Sequence, residues 1–270
     1  MTPSGAAPVD ILWSAIYSLG GPATDWHVND LTGHALRYLA DLQLMEALAL
    51  TGPILELGSA PCHLTALAKL TGHHVTGVDL NPERVAGLIN YFGLDVRQCD
   101  IERTPLPFED ESFDTALLCE TFEHLRIDPA FAISEINRIL RPGGILVLTT
   151  PNVYSLPSLL RYLTGRSVAD PLQEFGKLRT SGHMGHIREY SASEVMRFLV
   201  ASGFEIHSLG YRSHANRFGR KAFLLRLAYR IAPRRFRREL VIVAAKAQTV
   251  QPLAPLLPLD PDTRGNRQSE

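Results

Sequence analysis

From residue 53 onward, short β-branched and apolar runs alternate with longer amphipathic ones, and this alternation limits the chain to few folds. The spacing predicts strands at 54–58 (ILELG), 74–80 (HVTGVDL), 95–100 (DVRQCD), 113–120 (FDTALLCE) and 144–152 (GILVLTTPN), with two more at 204–212 and 239–247. Helical punctuation fills the gaps. PERVAGLINYF puts Pro82 in a first turn, and PAFAISEINRIL sets Phe131, Ile133, Ile136, Ile139 and Leu140 largely on one side before RPGG stops it. Strands separated by helices are expected to pair in parallel, because each crossover helix packs back onto the sheet it leaves.

The flanks divide the chain. Residues 1–52 hold two helix-like runs, WSAIYSL and HALRYLADLQLMEALAL, expected to form an N-terminal helical cap on the sheet or the site. Residues 53–250 form the α/β domain, interrupted at about 153–190 by a long irregular insertion placed to act as a lid. After it, SASEVMRFLVASG reads as a helix whose Ser191–Glu194 spacing suits a capping box. The proline-rich, then polar tail 251–270 is expected to be disordered or loosely docked. At 270 residues, 45% hydrophobic and 20% charged, the chain can bury a sizeable core. Its first residues lack a basic start and apolar run, and no segment offers about 18 consecutive apolar residues, so a cytoplasmic protein is expected. Cys62, Cys99 and Cys119 show no CxxC spacing, which argues against a disulfide framework or a zinc knuckle.

The stretch Ile54–Leu67, ILELGSAPCHLTAL, runs from strand through a glycine turn into a helix, the geometry of a nucleotide-cofactor loop. A dinucleotide loop uses three glycines so that a pyrophosphate can approach the backbone. Here only Gly58 remains, followed by Ser59, Ala60, Pro61 and Cys62. Asp79 lies twenty-one residues after Gly58, at the end of the second strand. A carboxylate there either accepts from both hydroxyls of a ribose or caps the helix at Asn81-Pro82.

With Asp100-Ile101 at the end of the third strand, the chain resembles the class I S-adenosylmethionine-dependent methyltransferases over roughly residues 50–247. Glu56, Leu57 and Gly58 match the start of the family's first motif, with Ala60 and Cys62 in its later glycine places. LPFEDESFDTALLCETFEHL and EINRILRPGGILVLTTPN are similar to its fourth- and fifth-strand regions. The resemblance implies a Rossmann-like fold: a mostly parallel seven-stranded sheet, helices on both faces and an antiparallel last strand. It also implies S-adenosylmethionine as cofactor. Glu56, Gly58, Ser59, Asp79, Leu80, Asp100, Ile101 and Glu120 would contact it, Asp79 at the ribose and Asp100 at the adenine. NAD fits less well, since Ala60 and Cys62 narrow a pyrophosphate loop, whereas S-adenosylmethionine has no phosphate. The loop is expected to present N–H groups to the methionine carboxylate.

Cys119-Glu120-Thr121-Phe122-Glu123-His124 leaves the fourth strand at the same edge. This ExxEH grouping resembles the magnesium site of small-RNA 2′-O-methyltransferases and ubiquinone-pathway O-methyltransferases, in which a further histidine arrives from downstream. The resemblance implies Mg2+ or another divalent cation on Glu120, Glu123, His124 and His186, with His183 as the other downstream candidate. His124 or His186 as general base, and structural roles, stay open.

The acceptor is expected to be a small molecule or glycan, since the lid pattern is similar to methyltransferases of bacterial polysaccharide and secondary-metabolite genes. The alternatives are an N or C acceptor, RNA 2′-OH, or an inactive cofactor-binding regulator; no separate RNA-binding module is evident. Residues 211–246 hold eleven Lys or Arg against the single acid Glu239, although the whole chain has a net charge of −1. Within this stretch, segment 216–239 reads either as a peripheral membrane contact at the inner face or as a helix packed on the sheet with a solvated rim.

Overall fold

The computed structural model describes residues 7–21, 23–181, 185–186, 188–214 and 220–256. Seven strands form one sheet: β1 (Ile54–Leu57), β2 (Val75–Asp79), β3 (Asp95–Gln98), β4 (Phe113–Cys119), β5 (Leu140–Pro151), β6 (Phe204–Arg212) and β7 (Glu239–Lys246). Their order is β3-β2-β1-β4-β5-β7-β6. The β1, β2, β3, β4 and β5 pairings are parallel, and β7 runs antiparallel to both β5 and β6. The strand order reverses at β1, so the carboxyl ends of β1 and β4 diverge around a crevice, where ligands of open α/β sheets bind.

Side chains alternate across the pleat and serve two cores. Leu55, Leu57, Ala116, Leu118, Leu146 and Leu148 face one side and pack against α5 (Pro129–Ile139) and α8 (Ala192–Ala201). Ile54, Leu117 and Val147 face the other, under α1 (Pro8–Leu19), α2 (Thr24–Ala47), α3 (His63–Leu70) and α4 (Ala86–Phe92). Each leucine buried completely in this way contributes about 1.5–3 kcal/mol, which is why a continuous apolar run is tolerated in a strand covered on both faces.

Three differences from the sequence expectations have local causes. The strand β5 starts at Leu140, so RPGG lies within it as an irregularity in its pairing with β4. There a Cβ on Gly144 would stand 2.8 Å from the Arg141 carbonyl oxygen, and Gly143 has φ +75°. The helix α2 begins at Thr24, ten residues before the expected run, because its first turns bury polar side chains that an apolar period does not register. The lid is less irregular than expected and forms α6 (Leu156–Leu163) and α7 (Pro171–Ser181). The start of the tail is docked: Val250 N–H donates to Asn137 Oδ1 and Leu253 N–H to Ser134 Oγ. Residues 257–270 lie outside the described residues. The Ser191–Glu194 capping box is present at the start of α8. The remaining helix, α9 (Arg220–Ile231), connects β6 to β7.

Candidate active site

The loop after β1 keeps its shape without the missing glycines. Gly58 has φ +70°, and Cys62 adopts φ +65°, the left-handed conformation that a glycine would supply more cheaply. A Cβ on Gly58 would stand 2.5 Å from Thr121 Oγ1, so this turn must be glycine. The loop's N–H groups are engaged within the protein. Gly58 and Ser59 both donate to the Val78 carbonyl, and Ala60 donates to Asp79 Oδ2 at 3.1 Å. A ligand carboxylate would therefore have to meet N–H groups other than those of Gly58, Ser59 and Ala60. Ser59 turns its hydroxyl inward, where a Cβ on Gly77 would meet it at 2.7 Å, so it shapes the turn from within. Glu56 is buried and accepts from the Thr65 hydroxyl, tying β1 to α3. Burial pushes its carboxyl up to about 8.

Asp79 makes the capping contact considered for it. Oδ1 accepts from Asn81 N–H at 2.9 Å and lies 3.4 Å from Arg84, while Oδ2 takes Ala60 N–H. An ionised carboxylate offers about four acceptor positions, so these three contacts leave about one free for a ribose hydroxyl, and a second would have to displace Arg84. Leu80, next to it, is exposed at the strand end and offers an apolar face. Asp100 Oδ1 accepts from Glu102 N–H at 3.2 Å, and Ile101 is buried against the core. The glycine cradle, the strand-end carboxylate with a free acceptor position and the exposed Leu80 together fit a phosphate-free nucleoside.

The helix α2 adds residues that the sequence reading missed. His27, Asp30, Tyr38 and Asp41 recur at helical spacing on one face, a polar stripe that could have been read from the sequence. His27 Nδ1 lies 3.0 Å from His63 Nε2, His63 Nδ1 lies 3.1 Å from Asp30 Oδ1, and Tyr38 donates to Asp30 at 2.6 Å. His27 donating to His63, and His63 to Asp30, satisfies the whole chain. It pins α2 to the first residue of α3, directly behind the cofactor loop. Burial, reinforced by His63, lowers His27 to about 4. Further along, Arg212 of β6 clamps Glu239 through Nε at 2.7 Å and also meets Asp41.

The ExxEH residues separate. Glu120, at φ +51°, turns toward α2, 3.4 Å from Arg37 and 3.3 Å from the Thr149 hydroxyl. Burial, reinforced by Glu123, raises its carboxyl. A 3-10 turn at Phe122–His124 carries the other two away from it. Glu123, His124 and His186 each offer a ligand atom within 4.8 Å of the others, and Glu120 is not in that group. Glu123 is fully buried; Oε2 accepts from Thr150 at 3.0 Å, whereas Oε1 has no hydrogen-bond partner among the described residues. That orphan oxygen stands 3.8 Å from His124 Nε2 and 3.9 Å from His186 Nε2. His124 Nδ1 is held at 2.9 Å from the Gly185 carbonyl, which places the proton on Nδ1 and leaves the Nε2 lone pair toward Glu123. Burial opposes charge on His186, but Glu189 and Glu123 outweigh it and raise its pKa. His183 lies outside the described residues.

The observed donor set fits a divalent cation. Ligand atoms about 2.1 Å from a metal stand about 3.0–3.4 Å from one another, so closing the group requires shifts of under about 1 Å. The partners of Glu123 and His124 are the supports that orient ligands at metal centres. One carboxylate with two imidazoles suits a first-row transition ion better than Mg2+, which favours oxygen donors.

His186 also borders a cavity of about 600 Å3 beneath the lid, lined by Tyr154 after β5, Tyr162 of α6 and Phe175 of α7. Its charged lining is mainly acidic: Glu174, Glu189 and Glu194 against Arg188, which pairs with Glu194. Glu174 Oε2 is buried without a hydrogen-bond partner among the described residues.

A doubly wound sheet with a ribose-type acid at the end of β2 and an ionisable group past β4 defines a class: nucleoside-cofactor transferases built on a Rossmann-like fold. Residues 55–148 match the methyltransferase domain family. A Mycolicibacterium smegmatis chain named as an S-adenosylmethionine-dependent methyltransferase is 31% identical over 154 residues, covering 57% of this chain and 52% of that one. A malonyl-[acyl-carrier protein] O-methyltransferase of Erwinia billingiae is 29% identical over 140 residues, covering 49% of this chain and 52% of that one. Among solved structures, an S-adenosylmethionine-dependent methyltransferase of Thermotoga maritima superposes with a TM-score of 0.55 at 21% identity, over 87% of this chain and 99% of that one. One from Archaeoglobus fulgidus gives 0.57 at 16% identity, over 82% and 99%. The chain carries a methyltransferase domain and is similar to the class I S-adenosylmethionine-dependent methyltransferases in sequence over that domain and in overall fold. It spans about half the length of the curated relatives it matches.

Proposed function

We propose that the protein methylates a hydroxyl group of a neutral or cationic acceptor, a sugar or other hydroxylated small molecule or glycan, in the cavity under the lid. The observation that carries this reading is the orphaned Glu123 Oε1 facing two imidazole nitrogens at the edge of that cavity. Bound S-adenosylmethionine supplies an electrophilic methyl group, so the protein's tasks are to align the acceptor oxygen and deal with its proton. Asp79 and the Gly58 turn hold the nucleoside end, and α2 closes over it. A divalent cation held by Glu123, His124 and His186 would lower the pKa of an acceptor hydroxyl, which neutral hydroxyls need and amines do not. The acidic lining of the cavity repels phosphates, which favours a sugar over RNA.

The test is methyl transfer from labelled donor across sugars, phenols, amines and RNA, with metal-stripped protein reconstituted with Mn2+, Co2+, Zn2+ or Mg2+. The expected result is transfer to a hydroxylated acceptor that is abolished by chelator, restored better by a transition ion than by Mg2+, and reduced at least about a hundredfold in Glu123→Gln. Full activity in excess chelator would remove the metal. Transfer only to amines or RNA would overturn the acceptor class.

A further inference from the structure

We infer that the lid and the basic turn before β7 form a docking surface for an anionic lipid bilayer. Both lid helices expose large apolar side chains: Leu160 and Leu163 on α6, Leu172 and Phe175 on α7. Leu163 and Leu172 are each 83% exposed, far beyond what a helix packed in a water-soluble lid requires. Phe175 lines the cavity itself, and Leu163 and Leu172 adjoin the lining residues Tyr162 and Pro171, so this apolar surface borders the cavity.

Cations accompany these side chains in the chain and at the edge of the cavity. Arg161, Arg166 and Arg179 are exposed on and beside the two lid helices. Tyr154 lines the lid cavity and also a second one with Arg235 and Phe236, which brings the turn Arg234–Phe236 to the lid's edge. Asn152 fixes that turn by donating from Nδ2 to the carbonyls of Arg235 and Arg237, both at 2.8 Å. Arg234, Arg235 and Arg238 remain exposed, and Ile231, at the end of α9, is 83% exposed beside them.

Apolar side chains fringed by arginine match a bilayer interface: leucine and phenylalanine enter the acyl boundary while the guanidinium groups meet anionic headgroups. Charge complementarity decides for lipid over a protein partner. The cations accompany the apolar side chains, whereas the cavity these border is acidic, so the surface is drawn to an anionic sheet that the cavity itself would not admit. No described helix is long and apolar enough to cross a membrane, so contact would be peripheral. The docked protein would open its acceptor cavity toward the headgroup layer.

Co-sedimentation with phosphatidylcholine vesicles, with and without about one third phosphatidylglycerol, tests this without reference to methyl transfer. Binding to the anionic vesicles is expected, weakening as salt rises. Leu163→Asp combined with Leu172→Asp should weaken it by roughly tenfold or more, as should Arg234→Glu combined with Arg235→Glu. Both pairs lie outside the cofactor residues, so unchanged thermal midpoints and S-adenosylmethionine binding would show that the variants are folded. No binding by the parent protein, equal binding to neutral vesicles, or full binding by either folded variant would overturn the proposal. Self-association abolished by Leu163→Asp in a protein that ignores vesicles would overturn it in favour of a second copy of the chain.

Discussion

Gly58 and His27 show how single residues set the cofactor half of the site. At Gly58 the backbone is left-handed and Thr121 fills the space that a side chain would need. Thr121 is itself held, with its hydroxyl bonded to the Leu57 and Cys119 carbonyls at 3.1 Å, so it does not swing aside. Gly58→Ala should cost about 2–4 kcal/mol, the sum of a left-handed penalty and overpacking, measured by urea unfolding. Adding Thr121→Ala should recover the packing share and leave the backbone share. His27, lowered to about 4 from 6.5, makes a different prediction. Between those values the unfolded chain binds a proton that the folded protein refuses, so stability falls as pH drops from about 6.5 to about 4 and then levels off for this group. His27→Gln, which keeps a donor toward His63, should flatten that part of the stability profile; an unchanged slope would remove His27 as its source.

At the level of elements, α2 does more than the sequence suggested. The strands were legible to within a residue or two for β1, β2, β4, β6 and β7, because β-branched runs between turn residues carry a direct signal. The start of α2 was not, since Leu31 is the one apolar residue buried in its first turns, beside His27. Nor was the separation of Glu120 from Glu123 legible. Their spacing gives no hint that a positive φ sends one carboxylate to Arg37 while a 3-10 turn brings the other to His124. The helix is tied to the far end of the sheet by Arg212, held between Asp41 and Glu239. Arg212→Met would leave two buried carboxylates without their cation and should destabilise by about 3–5 kcal/mol. Replacing Asp41, Arg212 and Glu239 together with apolar residues should recover much of that loss, measured as a thermal or denaturant midpoint.

Across the whole molecule, the sheet places two chemically distinct regions on one edge: a nucleoside cradle at β1 and β2, and a metal-type donor group opening into the lid cavity past β4 and β5. The sequence placed Gly58, Asp79 and Asp100 at or just after the ends of β1, β2 and β3, where the structure has them. The cavity was not legible there, because it depends on how α6 and α7 fold back over His186. The central claim is that the crevice beside β1 binds S-adenosylmethionine although its loop lacks two glycines. Titration calorimetry of the protein and of Asp79→Ala with S-adenosylmethionine and with NAD tests it directly. One site per chain for S-adenosylmethionine is expected, weakened by well over tenfold in Asp79→Ala because hydrogen bonds to a charged group are worth about 1.5–3 kcal/mol each, with no comparable affinity for NAD. No binding of S-adenosylmethionine, or tighter binding of NAD, would contradict the account.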